Sequence, residues 1–382
     1  MNGHENIGII GDGQLGRMLV EDGLRYNPDL TFRALGEGGS DSPAAQVGAK
    51  QIDGSPNDPA AIRALVEVSD VTTWEFEGFN ASVLVELEAE GHNIQPSPRS
   101  LLTIQDKPTQ KRHLEDRGIA VAPYTLVASA KELAAAREAL GDELMIKARR
   151  GGFDGRGNYK LSVQEDWEEI EAFFDGKTDG TLYAEQLIPF KRELSLVGAR
   201  DMLGNIVTYQ VVQTVHQNSI CHTVYAGTAE PMPTAAEEVG RATIAAFEGA
   251  GIFAVEMFET EDGEISVNEV ASRVHNSAHW TDLGAFTSQF EQDIRAKTGA
   301  PLGSTAPTSP ASIMKNVLRT KDGVFKDFMR GTDALNSGMA HVRWYGKAPR
   351  PGEDRKIGHI TARGTTPAAA LDLADLLKNK IA

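Results

Sequence analysis

The segment ELMIKARRGGFDGRGNYKL, Glu143 to Leu161, sets an apolar strand carrying Lys147 before two arginines and a loop with Gly151, Gly152, Gly155 and Gly157. Glycines let backbone N–H groups approach a polyanion closely. A lysine on the strand behind such a loop can neutralise phosphate oxygens. The G-x-x-x-x-G-K-[ST] pattern is absent, so this is not a Walker A loop. By itself the segment also fits a glycine-rich hairpin with solvated arginines.

A second set of chemically able residues lies in GIFAVEMFETEDGEISVNEVA, Gly251 to Ala271. A two-residue turn at Asp262-Gly263 would set Glu261 against Glu264 and Glu256 against Glu269. Carboxylates directly opposite on one face of a hairpin repel each other. A divalent cation is the economical counter-charge, and oxygen ligands point to Mg²⁺. The plain alternative is two exposed glutamates that tolerate each other. Strict alternation turns Asn268 to the other face unless a bulge intervenes. A lysine-backed glycine loop together with paired carboxylates suggests ATP–Mg²⁺ chemistry rather than hydride transfer.

Three further stretches carry polar groups. In SRVHNSAHWTD, His275 and His279 are four apart and would share a helix face, as zinc ligands do. H-E-x-x-H is absent, so a substrate contact or a pair of hydrogen-bonded structural histidines fits better. In EDRKIGHITARG, Lys356 and Arg363 flank an apolar stretch and could meet a phosphate. The opening IGIIGDGQLGRML has the G-x-G-x-x-G spacing of a dinucleotide-binding turn at Gly11, Gly13 and Gly16. Cys221 reads as a buried structural thiol, since adjacent strand residues such as His222 point to the opposite face.

These residues need elements to hold them. The first hundred residues alternate apolar runs (NIGIIG, LTFRALG, VTTWEFE) with helical stretches (QLGRMLVEDGLRY, PAAIRALVEVS, ASVLVELEAEG). That alternation predicts a parallel sheet whose binding edge is at the strands' carboxyl ends, where Gly11–Gly16 and Trp74–Glu77 fall. IQPSPRSLLTIQDKPTQK reads as a boundary. Beyond it, a helix TQKRHLEDRG precedes LYAEQLI, RELSLVGARD, NIVTYQVVQTVHQ, GIFAVEMFET and GEISVNEVA, which read as largely antiparallel strands. APLGSTAPTSPAS is a second break, followed by a short β-rich piece and the helix PAAALDLADLLKNKI.

Composition narrows the classes. The 382 residues suffice for two or three domains, and 41% hydrophobic with 24% charged content is that of a soluble globular chain. A net charge of −16 argues against nucleic-acid binding. A single cysteine excludes an intrachain disulfide, and neither a signal peptide nor a membrane-length apolar run is visible. The expectation is a cytoplasmic protein.

With these pieces in order, the chain resembles the N5-carboxyaminoimidazole ribonucleotide synthetase family of ATP-grasp enzymes, the ATPase subunit of phosphoribosylaminoimidazole carboxylase. The resemblance runs through GDGQLGRML, TWEFE, QDKPTQK, RRGGFDGRGN, AEQLIPFKRELSLVGARD, VHQNSI, NEVASRVHNSAHWT, SQFE and RKIGH, nearly the whole chain. Asp12 sits where glycine is usual, Phe153 where tyrosine is common, and Ser272 and Ala278 replace a frequent proline and glycine. The resemblance implies mixed α/β and α+β architecture. A Rossmann-like domain at 1–104 would precede an ATP-grasp domain at 105–300, with its glycine-rich flap near 147–158. A small β-rich domain at 301–382 would complete the substrate site.

It also implies residue roles. Lys107 and Lys147 would contact ATP phosphates, and the flap would comprise Gly152, Phe153, Asp154, Gly155, Arg156, Gly157 and Asn158. Glu185, Gln186, Leu187 and Ile188 match the adenine-contacting hinge and Glu193 the ribose ligand. His216, Asn268 and Glu269 also fall on nucleotide positions, and Glu256 and Glu269 match the Mg²⁺ carboxylates. For the ribonucleotide the matching positions are Gln14, Leu15, Glu75, Asp154, Arg156, His275, Asn276, Lys356 and Arg363. The implied reaction joins bicarbonate to 5-aminoimidazole ribonucleotide through carboxyphosphate, or CO₂ released from it, with Asp154 and Arg156, or alternatively His275, positioning groups or moving the proton. A homodimer is implied.

Rival readings are another ATP-grasp ribonucleotide ligase, such as a formate-using glycinamide ribonucleotide transformylase; an NAD(P)-dependent oxidoreductase with Glu37 as the ribose acid; and a non-catalytic nucleotide-binding regulator.

Overall fold

The computed structural model describes residues 5–151, 157–161, 167–175, 181–217, 220–319, 338–347 and 355–381. Its first sheet is parallel, built from β1 (Asn6–Ile10), β2 (Thr31–Gly36), β3 (Lys50–Asp53) and β4 (Val71–Trp74) in the order β3-β2-β1-β4. β3 is too short and polar to read from periodicity. The helix Gln14–Tyr26 follows β1 directly, with Gly13 as its N-cap. Gly11 has φ +111°, and a Cβ there would lie 2.4 Å from Glu75 Cγ, so only glycine lets this turn close over that side chain.

The stretch read as a boundary contains an eight-residue helix, Pro98–Gln105. Ser97 caps it by accepting from the Arg99 N–H, and Pro98 occupies its first position. A second helix, Lys107–Glu115, restarts at once because Asp106 is an N-cap accepting from Thr109.

A small antiparallel sheet follows: β5 (Tyr124–Val127), β6 (Leu144–Ala148), β7 (Asn158–Leu161) and β8 (Leu182–Gln186), ordered β5-β8-β6-β7. Ile146, Leu161, Ala184 and Phe174 give this lobe its own core.

The third sheet is the largest. It comprises β9 (Phe190–Arg200), β10 (Ile206–Thr208), β11 (Val212–Gln217), β12 (Ile220–Ala226), β13 (Gly251–Thr260), β14 (Ile265–Ala271), β15 (Ala311–Arg319), β16 (Ala340–Trp344) and β17 (Arg355–Gly364). The order is β14-β13-β9-β11-β12-β15-β17-β16, with β10 on β9. NIVTYQVVQTVHQ is therefore two strands, broken where the buried Tyr209 sends its hydroxyl to the Thr287 carbonyl. The C-terminal strands continue this sheet through the β12–β15 pairing. One apolar cluster also runs from Ile9 and Phe32 through Trp280 and Phe290 to Met314 and Tyr345. The outer regions thus share an interior with the middle and form its walls.

The β13–β14 hairpin departs from the simple count in two compensating ways. The turn has three residues, Glu261, Asp262 and Gly263: Thr260 N–H bonds to Glu264 O at 3.0 Å, and Gly263 takes φ +82°. Near the turn Met257 therefore pairs with Val267, not with Asn268. A bulge then leaves Asn268 as the extra residue and restores Glu256 opposite Glu269.

Candidate active site

A cavity of about 1410 Å³ runs between the small sheet, the large sheet and the carboxyl edge of the parallel sheet. One end is walled by Met145, Phe173, Phe190 and Phe258, with Glu185, Gln186, Leu187 and Ile188 along one side. Phe190 and Phe258 stack with centroids 4.9 Å apart, giving a flat apolar face. The middle is lined by Lys147, Asn158, Glu193, His216, Glu256, Asn268 and Glu269. The far end carries Gln14, Leu15, Glu75, Arg273, His275, Asn276, Tyr345, Lys347, Arg355 and Lys356.

The cations at the middle are held by carboxylates. Glu185 on β8 is buried, with Lys111 Nζ at 2.7 Å from Oε1 and Lys147 Nζ at 2.5 Å from Oε2. Burial pushes the Glu185 carboxyl up, but the two lysines outweigh it and hold it ionised. Lys147 also donates to Asn268 Oδ1 at 3.1 Å, which it can do because the bulge turns Asn268 to the cavity. Lys107 Nζ bonds Glu269 Oε2 and lines an adjoining cavity of about 440 Å³ that shares Glu269 and Arg273. Burial pulls Lys107 down, yet the Glu269 charge raises it overall.

The facing carboxylates split. Burial and the charge of Glu269 push Glu256 up to about 7. Burial acts on Glu269 in the same sense, but Lys107 prevails and holds it at about 2. A site that keeps one carboxyl protonated near neutrality for want of positive charge fits an added cation. Two carboxylates leave most of an octahedral shell for phosphate oxygens and water, the usual Mg²⁺ arrangement. Among the described residues no group of three or more His, Cys, Asp or Glu converges as a metal site.

Glu193 and His216, on β9 and β11, form a pair at 2.6 Å. Burial lowers His216, but this hydrogen bond and the Glu256 charge raise it overall.

The opening glycine loop is already occupied by a side-chain carboxyl, whose pKa burial raises. Glu75, at the end of β4, accepts from Gly13 N–H at 2.5 Å and Gly16 N–H at 2.6 Å. The helix N-terminus that would meet a pyrophosphate is filled by this side chain. Asp12, in the same loop, accepts from Gly38 N–H at 2.9 Å and Gln51 Nε2 at 3.1 Å.

His275 and Asn276 open a short 3₁₀ turn at Asn276–Ala278. His275 Nδ1 lies 2.9 Å from Ser277 Oγ and its Nε2 3.5 Å from Glu256 Oε1. Burial and the neighbouring Arg273 lower it to about 3, so it is neutral. Gln289 clamps the His275 backbone with two 2.8 Å bonds and meets His279 Nδ1 at 2.9 Å. The two imidazoles thus have different partners, Ser277 and Glu256 for His275 and Gln289 for His279, as hydrogen-bonded structural histidines do.

Lys111, Gln289, Asn316, Tyr345, Lys347 and Arg355 are absent from the sequence-based set. Lys111 sits in the helix at register with Lys107, and Lys347 and Arg355 lie close to Lys356 in the chain, so charge spacing was the available signal. Arg363 is not among the cavity's lining residues; its guanidinium donates to the Gly338 carbonyl. Gly157 accepts from Ala148 N–H at 2.8 Å at the start of the return strand. Gly152, Phe153, Asp154, Gly155 and Arg156 lie outside the described residues. No described helix is long and apolar enough to cross a membrane.

Comparison with known proteins agrees with this layout. Residues 4–105 match the ribonucleotide synthetase preATP-grasp domain, 112–290 the ATP-grasp domain, and 312–372 the phosphoribosylaminoimidazole carboxylase C-terminal domain. A phosphoribosylaminoimidazole carboxylase of Ogataea methanolica is 41% identical over 93% of this chain. The chain spans 62–66% of the length of the fungal relatives of that name which it matches. An N5-carboxyaminoimidazole ribonucleotide synthase of Brucella melitensis is 38% identical over 93% of this chain and 95% of its own. The crystal structure of carboxyaminoimidazole ribonucleotide synthase from Aspergillus clavatus with ATP superposes with TM-score 0.87 at 35% identity, covering 99% of both chains. The Aspergillus clavatus synthase with ADP and 5-aminoimidazole ribonucleotide gives 0.84 at 34%, covering 100% of this chain and 99% of its own. The fold is an ATP-grasp fold with an N-terminal parallel-sheet domain.

Proposed function

The chain belongs to the N5-carboxyaminoimidazole ribonucleotide synthase family, and from that premise we propose that it carboxylates 5-aminoimidazole ribonucleotide with bicarbonate and ATP, as a Mg²⁺-dependent, cytoplasmic homodimer of purine biosynthesis. The observation that carries this reading is one cavity with two chemically different ends. Paired carboxylates and lysines stand beside an apolar wall at one end, and cations stand with a neutral histidine at the other.

Bicarbonate is a poor electrophile because its carbon already bears negative oxygen. Transfer of the γ-phosphoryl group to a bicarbonate oxygen gives carboxyphosphate and ADP. The substrate amine then attacks the carboxyl carbon, phosphate leaves, and the amine loses a proton. The Phe190–Phe258 face and the Glu185–Ile188 edge suit a purine base, and Glu193 suits a ribose hydroxyl. Lys147, fixed by Glu185 before substrate arrives, and Lys107 suit the phosphates. Glu256 and Glu269 would hold Mg²⁺, which when bound offsets charge on the transferring phosphoryl group. Lys347, Arg355 and Lys356 suit the ribonucleotide phosphate, with Gln14, Leu15, Glu75 and Asn276 beside it. His275, uncharged, is a candidate acceptor for the amine proton. Asp154 and Arg156, which the family resemblance assigns to the glycine-rich segment Gly152 to Asn158, are the other candidates for positioning and proton transfer.

An ADP-release assay tests this with each amine and each acid. Turnover with 5-aminoimidazole ribonucleotide and bicarbonate is expected. Turnover only with glycinamide ribonucleotide and formate would overturn it.

A further inference from the structure

The side-chain amide of Asn276 at the cavity wall faces a second amide. Asn316, on β15 and fully buried, donates from Nδ2 to Asn276 Oδ1 at 2.7 Å and accepts from Asn276 Nδ2 at 3.1 Å. The same Nδ2 donates to the Cys221 backbone carbonyl at 2.7 Å. A carbonyl can only accept, so Cys221 settles which end of the Asn316 amide faces β12. That choice settles which end of the Asn276 amide faces Asn316. One N–H and one oxygen lone pair of Asn276 are thereby committed, and because the pair fixes which edge of the amide carries nitrogen, it also fixes the direction in which the second N–H donates. An unrestrained amide would offer its oxygen or its nitrogen to a ligand, because the two ends have nearly the same shape.

We propose that Asn316 is a positioning residue for the ribonucleotide end of the cavity, relaying the Cys221 carbonyl to Asn276 so that the site presents a hydrogen-bond donor to an acceptor oxygen of the substrate. Asn316 does not itself line the cavity, and of the two lining residues it bonds, Asn276 is the one whose side chain it orients. A pre-set amide spares the substrate the ordering of that side chain on binding. The inference rests on the reading that Asn276 contacts the ribonucleotide.

The test is steady-state kinetics on Asn276→Ala, Asn316→Ala and the double variant, with ribonucleotide and ATP varied separately. Asn316→Ala is expected to raise the KM for the ribonucleotide about 10-fold, the scale of one lost hydrogen bond to a positioned group. The KM for ATP should stay within about twofold, and the double variant should be no worse than Asn276→Ala, because the two residues act as one unit. Losses that multiply in the double variant, or an equal rise in the KM for ATP, would overturn the proposal by revealing a general packing role. A wild-type ribonucleotide KM in Asn276→Ala would instead overturn the contact it rests on, which separates the two failures. If Asn316→Ala does not fold, Asn316→Ser, which keeps a hydroxyl, is held to the same criteria.

Discussion

Replacing Glu256 by glutamine should make the metal-free protein more stable above neutral pH while abolishing ATP turnover. Burial and the facing Glu269 push this carboxyl from the ordinary 4.5 to about 7. At about 1.4 kcal/mol per pH unit, the ionised group destabilises the folded state by up to about 3 kcal/mol. An acid whose folded pKa is raised has no such effect below its unfolded value, because it is protonated in both states. The destabilisation builds between pH 4.5 and 7 and is fully present above that window. Glu269 acts oppositely in another window: burial disfavours its charge, but Lys107 prevails, so its contribution is present above 4.5 and lost only as pH falls toward 2. Urea midpoints of wild type and Glu256→Gln, taken near pH 5 and pH 8 without divalent cation, give the assay. The two proteins should lie close together in acid, and the variant should lead by up to about 3 kcal/mol in alkali. Adding Mg²⁺ and ADP should then stabilise wild type far more than the variant. Equal midpoints at pH 8, or substantial turnover by Glu256→Gln, would refute the paired-carboxylate reasoning.

Other expectations follow from the same geometry. Glu269→Gln should abolish ATP turnover with the fold intact by circular dichroism; near-normal turnover would remove Glu269 from the metal site. Lys356→Ala should weaken the ribonucleotide far more than ATP in equilibrium titrations, and equal loss of both would argue against a separate phosphate contact. Arg343 is buried against Glu21, Asp22 and Asp282, so Arg343→Met should cost about 3–5 kcal/mol in denaturant by stranding buried carboxylates; a smaller loss would mean that those acids protonate or find other partners. Glu75→Gln should leave one of the Gly13 and Gly16 amides without a good acceptor, costing about 1–3 kcal/mol and raising the ribonucleotide KM, whereas an unchanged protein would show that the loop does not depend on this carboxyl.

The hairpin shows how far a sequence can be read. Counting five residues back from Glu261 and five forward from Glu264 reaches Glu256 and Glu269, and the structure pairs them. The count arrives there because a three-residue turn and a one-residue bulge cancel. The same bulge turns Asn268 toward Lys147, and alternation by itself cannot supply that. The glycine loop is similar. Its spacing gives the strand, the turn and the helix start, but its local chemistry suits an external phosphate as well as it suits Glu75, 62 residues away. Asn316 and Gln289 carried no local signal, since a lone amide in an apolar strand or at a helix start looks like any other.

What the sequence by itself determined is the part encoded in near neighbours: the parallel sheet from alternating apolar runs, the lysine before the glycine loop, and the carboxylate pair across one turn. Propensity and periodicity act over a few residues, so these survive without knowledge of packing. The tertiary structure decided which side chains meet. It brought Arg343 to Met18 across 325 residues, joined the C-terminal strands to the central sheet, and seated Glu75 where a dinucleotide phosphate would otherwise bind. Those pairings are set by how whole layers pack and by the demand that every buried charge and amide find a partner, a condition no local stretch of chain can express.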